Sequence, residues 1–191
     1  MIVFVDLETG GSLPSHPIIQ IAAVVFRDPR SDVEVATFER KLLFDVRSAE
    51  PEALRLNHYA ADVWAKEAKD KGAAAIDFKA FLDKHSDVEL RSKRTGNPYI
   101  VARVGGHNVV AFDLDRLGRL FRALNLFLPV QYNSALDTLQ GSVWKFERNP
   151  PPPEDYELST IAAHFGIETP KAHDALADCR TSAAIARRLL A

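Results

Sequence analysis

Two apolar runs near the start of the chain constrain its fold more than anything else in it. Residues 3–6 and 18–26 read as fully buried strands, and Gly10, Gly11, Pro14 and Pro17 between them mark a turn. A third run, residues 33–44, follows the turn-rich segment 27–32 and alternates more between apolar and polar side chains. The spacing predicts three sequential, antiparallel strands.

Pro51 then opens helical text, over residues 52–57, 60–69 and 73–85. Residues 89–98 are polar and basic, with Arg91, Lys93 and Arg94 before Gly96-Asn97-Pro98, and read as an exposed loop or hairpin tip. Strand text resumes over 99–104 and runs into Gly105-Gly106-His107-Asn108, after which 113–124 has the pattern of an amphipathic helix. A short strand at 134–137, a helix from 138 to about 146, a stiff proline connector at 149–153 and two closing helices, 158–165 and 174–190, complete the reading. The expected architecture is an α/β mixed sheet of about five strands flanked by helices, with residues 1–191 as one domain.

A 47% hydrophobic, 26% charged composition excludes a largely disordered chain. The net charge of −2 gives little sign of an anionic partner, yet two bound divalent cations would turn it into +2. Carboxylates arrive too early for a signal peptide, and no run approaches transmembrane length. A lone Cys179 leaves no disulfide framework and fits a reducing cytoplasm; it reads as a small buried helix residue. The expected location is cytoplasmic, with no membrane partner.

Three acidic sites stand at structural junctions. Asp6 and Glu8 are one residue apart on the first strand, so their side chains share a face and can grip a divalent cation. Asp113 opens a helix directly after a strand, and Asp178 lies inside His173-Asp174-Ala175-Leu176-Ala177-Asp178. Five residues along a helix is about 140° of rotation, so His173 and Asp178 cannot share a helical face. With Asp174 as the N-cap, Asp178 falls in the first turns and His173 on the loop before them.

The set Asp6-Leu7-Glu8-Thr9, His107-Asn108 with Phe112-Asp113, and His173 followed by Asp178 resembles the DEDDh branch of the DnaQ-like exonucleases, over nearly the whole chain. Gly10-Gly11-Ser12 and the spacing from His107 to Asp113 depart from the commoner pattern without removing a ligand. The resemblance implies a ribonuclease H-like fold and metal-dependent hydrolysis from a 3′ end, releasing nucleoside monophosphates, with DNA favoured. It implies that Asp6, Glu8, Asp113 and Asp178 bind two Mg²⁺ or Mn²⁺ ions and that His173 is the general base. Oxygen-only ligands suit those ions, and an imidazole with an ordinary pKa near ~6.5 accepts a proton at neutral pH.

Leu7, Thr9 and Gly10, through their backbone, and Asn108 are the expected contacts to a terminal nucleotide; Arg91, Lys93 and Arg94 are the expected contacts to a phosphate backbone. Asp115 is the rival to Asp113 as a ligand. Arg116, Arg119 and Arg122 recur every three residues, as on a solvated helix face, and Trp64 and Trp144 read as packing groups. The expected partner is single-stranded nucleic acid or a 3′ end, and the resemblance implies a DNA polymerase or repair assembly as a further one. An oligoribonuclease-like enzyme on short RNA and a non-catalytic nucleic-acid-binding or adaptor module are the alternatives.

Overall fold

The computed structural model describes residues 1–149, 151–169 and 174–191. β1 (Ile2–Thr9), β2 (Ile18–Phe26) and β3 (Glu34–Lys41) are sequential antiparallel strands. After α1 (Pro51–Leu56), α2 (Ala61–Glu67) and α3 (Lys71–Lys84), a hairpin of β4 (Val88–Arg91) and β5 (Pro98–Val101) stands as a separate two-stranded sheet. β6 (Val104–Gly106) and, after α4 (Asp113–Ala123), β7 (Leu136–Asp137) add parallel strands beside β1, giving the order β3-β2-β1-β6-β7. α5 (Thr138–Arg148), α6 (Leu158–His164) and α7 (Ala175–Leu189) follow. This is the mixed five-stranded sheet flanked by helices that the sequence predicts.

Of the boundaries that differ from expectation, two bear on how the site is placed. Residues 99–104 form two strands, because Ala102 leaves the hairpin to bridge Val130 before the chain joins β1 at Val104. β1 runs on to Thr9, so Asp6 and Glu8 lie within the strand rather than at its end. Part of the proline connector 149–153 lies outside the described residues.

The period-two alternation of β1 divides the core. Val3, Val5 and Leu7 pack on the face covered by α3 and α4, through Phe78, Leu82, Leu114 and Leu117. Ile2 and Phe4 point the other way, onto Ala175, Cys179, Ala183 and Ala186 of α7. Those α7 residues are small, so the helix sits close on the sheet, and Cys179 is the buried helix residue expected of it. By the same alternation Asp6 and Glu8 face the α7 side. A third cluster, with Phe146, Ile161 and Ile185, joins α5, α6 and α7. Among the described residues no helix is long and apolar enough to cross a membrane.

Candidate active site

Asp6 and Glu8 leave β1 toward the first turn of α7, where Asp178 stands. Ligand oxygens of these three residues all lie within 4.8 Å of one another. Asp174 fixes the helix start: its carboxylate accepts from Ala177 N at 3.1 Å, and its carbonyl accepts from Asp178 N at 2.9 Å. Asp174 is therefore the N-cap the sequence predicts. His173 lies outside the described residues.

Asp113 comes from a third element. β6 pairs with β1 only as far as Phe4↔Gly105, leaving the β1 backbone beyond it unpaired on that side. The Leu7 N–H donates to the Asp113 carboxylate there, tying the start of α4 to β1. Asp113 is 2% exposed, and it is a principal charge acting on Asp6. Asp115, the rival, instead accepts from Arg119 Nε at 2.9 Å on the helix surface.

Crowding of this kind is unfavourable without a cation. Burial, then Asp113, Glu8 and Asp178, hold the Asp6 carboxyl well above the usual carboxylate range. Burial, then Asp178 and Asp174, push Glu8 up to about 7. Burial also raises Asp113, against the hydrogen bonds from its own N–H and that of Leu7. The leading charges on Asp6 and Glu8 are all carboxylates, so this oxygen-only set fits a hard divalent cation, which would neutralise them.

Local packing builds a groove beside the cluster. It has a volume of about 350 Å³, and Leu7, Glu8, Thr9, Ser12, Asn57 and Phe112 are among its lining residues. Thr9 is held by its hydroxyl on Gly11 O at 2.9 Å and by Asn57 Nδ2 on its carbonyl at 2.8 Å. Gly10 N donates to Pro17 O at 2.8 Å, and a Cβ at Gly10 would stand 2.7 Å from Ala49 Cβ. Gly11 has φ +148°, and a Cβ there would meet the His16 ring at 2.1 Å. The glycine pair thus serves a tight turn. The expectation that the amides of Leu7 and Gly10 face a nucleotide is corrected on this point: both N–H groups are spent inside the fold.

Asp137 is the anchor that sequence reading missed. Its carboxylate accepts from Leu139 N and Gln140 N as the N-cap of α5, and also from Asn108 N at 3.1 Å and Val110 N at 3.3 Å. One side chain thereby fixes both a helix start and the turn leading to Asp113. Asn108 takes φ 56° in that turn, a conformation asparagine tolerates. His107 is structural: it donates through Nε2 to Tyr156 O at 2.8 Å, with Thr138 Oγ1 3.1 Å from Nδ1. Its burial lowers its pKa, consistent with a neutral ring.

Arg116 corrects the solvated-face reading. It is 6% exposed; its guanidinium lies 3.5 Å from the Phe112 ring centroid and donates to Ser12 O at 2.5 Å and Phe112 O at 3.3 Å. It straps the loop after Glu8 to the residue preceding Asp113. Arg116→Ala is expected to lower unfolding free energy by about 3 kcal/mol, the sum of two charge-assisted hydrogen bonds and a cation–π contact less relaxation. Urea unfolding measures it, and a loss below about 1 kcal/mol contradicts the strap. Arg116→Lys is expected to recover little, because an ammonium cannot reach both carbonyls while lying flat on the ring.

The structure does not bring Arg91, Lys93 and Arg94 to the carboxylates. The Met1 ammonium pairs with Asp87, just before β4, and Val3 N donates to Arg103 O, so the hairpin stands at the opposite end of β1 from Glu8. The strand from Ile2 to Glu8 is about 20 Å long. A basic stretch says nothing in sequence about which end of the sheet it reaches. Trp64 is a packing group, but Trp144 is 73% exposed and, with Lys145, Arg148 and Leu189, borders a groove of about 510 Å³ between α5 and α7.

Comparison with known proteins bears on the family and the fold. Residues 100–186 match the family described as exonuclease, RNase T. No curated protein matches the chain in sequence. Among solved structures, exonuclease I is similar, at 18% identity and a TM-score of 0.72 over 99% of this chain and 40% of that one. E. coli exonuclease I in complex with a dT13 oligonucleotide matches at 18% identity and a TM-score of 0.72, over 98% of this chain and 40% of that one. An exonuclease I/SSB-Ct complex matches at 17% identity and a TM-score of 0.70, over 99% and 40%. The chain thus spans about 40% of the length of these proteins, and the likeness establishes the shared fold. The chain is thus similar to the exonuclease, RNase T family over residues 100–186 and shares its fold with exonuclease I.

Proposed function

We propose that the chain is a single-domain, Mg²⁺- or Mn²⁺-dependent 3′-to-5′ exonuclease that releases nucleoside monophosphates from single-stranded nucleic acid, with DNA as the favoured substrate. The observation that carries the reading is the convergence of Asp6, Glu8 and Asp178 within 4.8 Å, with buried Asp113 acting on Asp6. The exonuclease family match supports the reaction class, and the dT13 complex of a structural relative supports the DNA preference.

In this reading Asp6, Glu8, Asp113 and Asp178 hold two cations. Bound there, the cations supply Lewis-acid stabilisation of charge on the attacking and leaving oxygens of a phosphodiester. The residues around them do the rest. Asp137 and Arg116 hold the Asp113 turn and the Ser12 loop in place, and Phe112 gives the groove an apolar wall beside Glu8. His173 is the proposed general base, by its position in the family's motif. A cytoplasmic setting and a polymerase or repair assembly as partner belong to the same proposal.

A 5′-labelled oligothymidylate incubated with Mn²⁺ tests the direction. A descending ladder is expected, absent in EDTA. Immediate release of a labelled mononucleotide would reverse the polarity, and cleavage of short RNA but not DNA would move the assignment to an oligoribonuclease-like enzyme.

A further inference from the structure

A second pocket lies on the far side of the loop that follows Glu8. It has a volume of about 340 Å³, roughly ten times the share of one liquid water, and its lining includes Ser15, His16, Ser48, Lys71, Arg116 and Arg119. Three elements meet there: the loop 14–17, the first residue of α3 and the exposed side of α4. Three obligate cations, an imidazole and two hydroxyls converge on one concavity, whereas the adjoining groove is lined by the carboxylates of Glu8 and Glu50.

Local pairing accounts for only part of that positive charge. Arg119 is paired with Asp115, and His16 Nδ1 is 3.7 Å from Glu50 Oε1. Lys71 makes no ion pair among the described residues. Arg116 is buried, with its Nε lacking a partner among the described residues, and it joins the two concavities physically: its guanidinium holds Ser12 O, and Ser12 lines the carboxylate groove.

We propose that this pocket is a phosphate subsite, binding a backbone phosphate of the nucleic-acid strand upstream of the scissile bond after the strand crosses the Gly11–His16 loop. The proposal rests on the exonuclease reading of the neighbouring groove. Lys71 and Arg119 contact the phosphate as mobile cations, while Arg116 supplies fixed positive potential from below. The contact carries no base information and therefore adds affinity for any sequence.

The test separates the subsite from the catalytic reading. Binding of a 5′-fluorescein oligothymidylate is followed by anisotropy in EDTA between 50 and 200 mM KCl, beside Mn²⁺-dependent hydrolysis of the p-nitrophenyl ester of thymidine 5′-monophosphate, which has no upstream phosphate. Lys71→Ala and Arg119→Ala are each expected to weaken oligomer binding about 5-fold and to reduce the salt slope by about 1, with ester turnover unchanged. Arg122→Ala, exposed on the same helix outside the pocket, is the control and retains wild-type affinity. Wild-type affinity and slope in both pocket variants overturn the proposal, as does a parallel loss of ester turnover, which would place these residues in the cleavage site itself. A wild-type protein that cleaves neither ester nor oligomer refutes the exonuclease reading, while the EDTA binding arm still decides the pocket.

Discussion

Asp6→Asn is expected to lower Mn²⁺-dependent nuclease activity at least about 10³-fold while making the metal-free protein more stable by about 1–2 kcal/mol. The two effects have one cause. Burial penalises the charge of Asp6, and the neighbouring Asp113, Glu8 and Asp178 add repulsion to that penalty. An amide of the same shape removes one negative charge from the cluster and one anionic oxygen donor from the proposed ligand set. An ordinary structural aspartate behaves the other way, losing stability when replaced because it had been accepting hydrogen bonds. Thermal unfolding in EDTA and a nuclease assay on the same preparations check both halves. Unchanged activity would remove Asp6 from the site, and a fall in metal-free stability would show that its charge is compensated within the fold.

The second large effect is on pH dependence. Glu8 is 7% exposed and its pKa is pushed from 4.5 up to about 7. The folded state therefore binds this proton more tightly than the unfolded chain. That stabilisation is fully present below about 4.5 and is lost as pH rises through about 7. The shift corresponds to about 3 kcal/mol, or a fall in Tm of about 8 °C for a chain of this size. Asp6 and Asp113 shift in the same direction. Metal-free protein is thus expected to melt lower at pH 8 than at pH 5, with Mn²⁺ restoring the loss at pH 8 and acting weakly at pH 5, where it must displace protons. Glu8→Gln is expected to flatten the metal-free profile. A Tm that rises from pH 5 to pH 8 in EDTA contradicts this account of the cluster.

Much of the architecture was legible because its determinants are local. The apolar run Ile18–Phe26 is a strand over the same residues that its sequence marks, and Asp174 caps α7 because an aspartate there can reach Ala177 N. Period-two alternation alone puts Asp6 and Glu8 on one face of β1. What sequence hides is where distant segments meet. Arg91, Lys93 and Arg94 look like phosphate contacts until the Met1–Asp87 pair shows which end of β1 the hairpin adjoins. Arg116 looks like one of three solvated arginines, yet the Phe112 ring and the Ser12 carbonyl bury it while Arg122 stays exposed. Asp137 stands unremarked at a strand end in sequence, and the tertiary structure reveals that it caps α5 while Asn108 N and Val110 N share the same carboxylate. Trp144 shows the converse: aromatic identity says nothing of burial on a helix facing the sheet edge.

The central claim is that the carboxylates of β1, α4 and α7 hold divalent cations at the end of the groove. Anomalous diffraction from crystals soaked in Mn²⁺ tests it without relying on turnover. The account predicts anomalous density in contact with the carboxylate oxygens of Asp6, Glu8 and Asp178 in the wild-type protein, lost in Asp6→Asn. Density confined to other carboxylates, or none at Mn²⁺ concentrations that support hydrolysis, would contradict it.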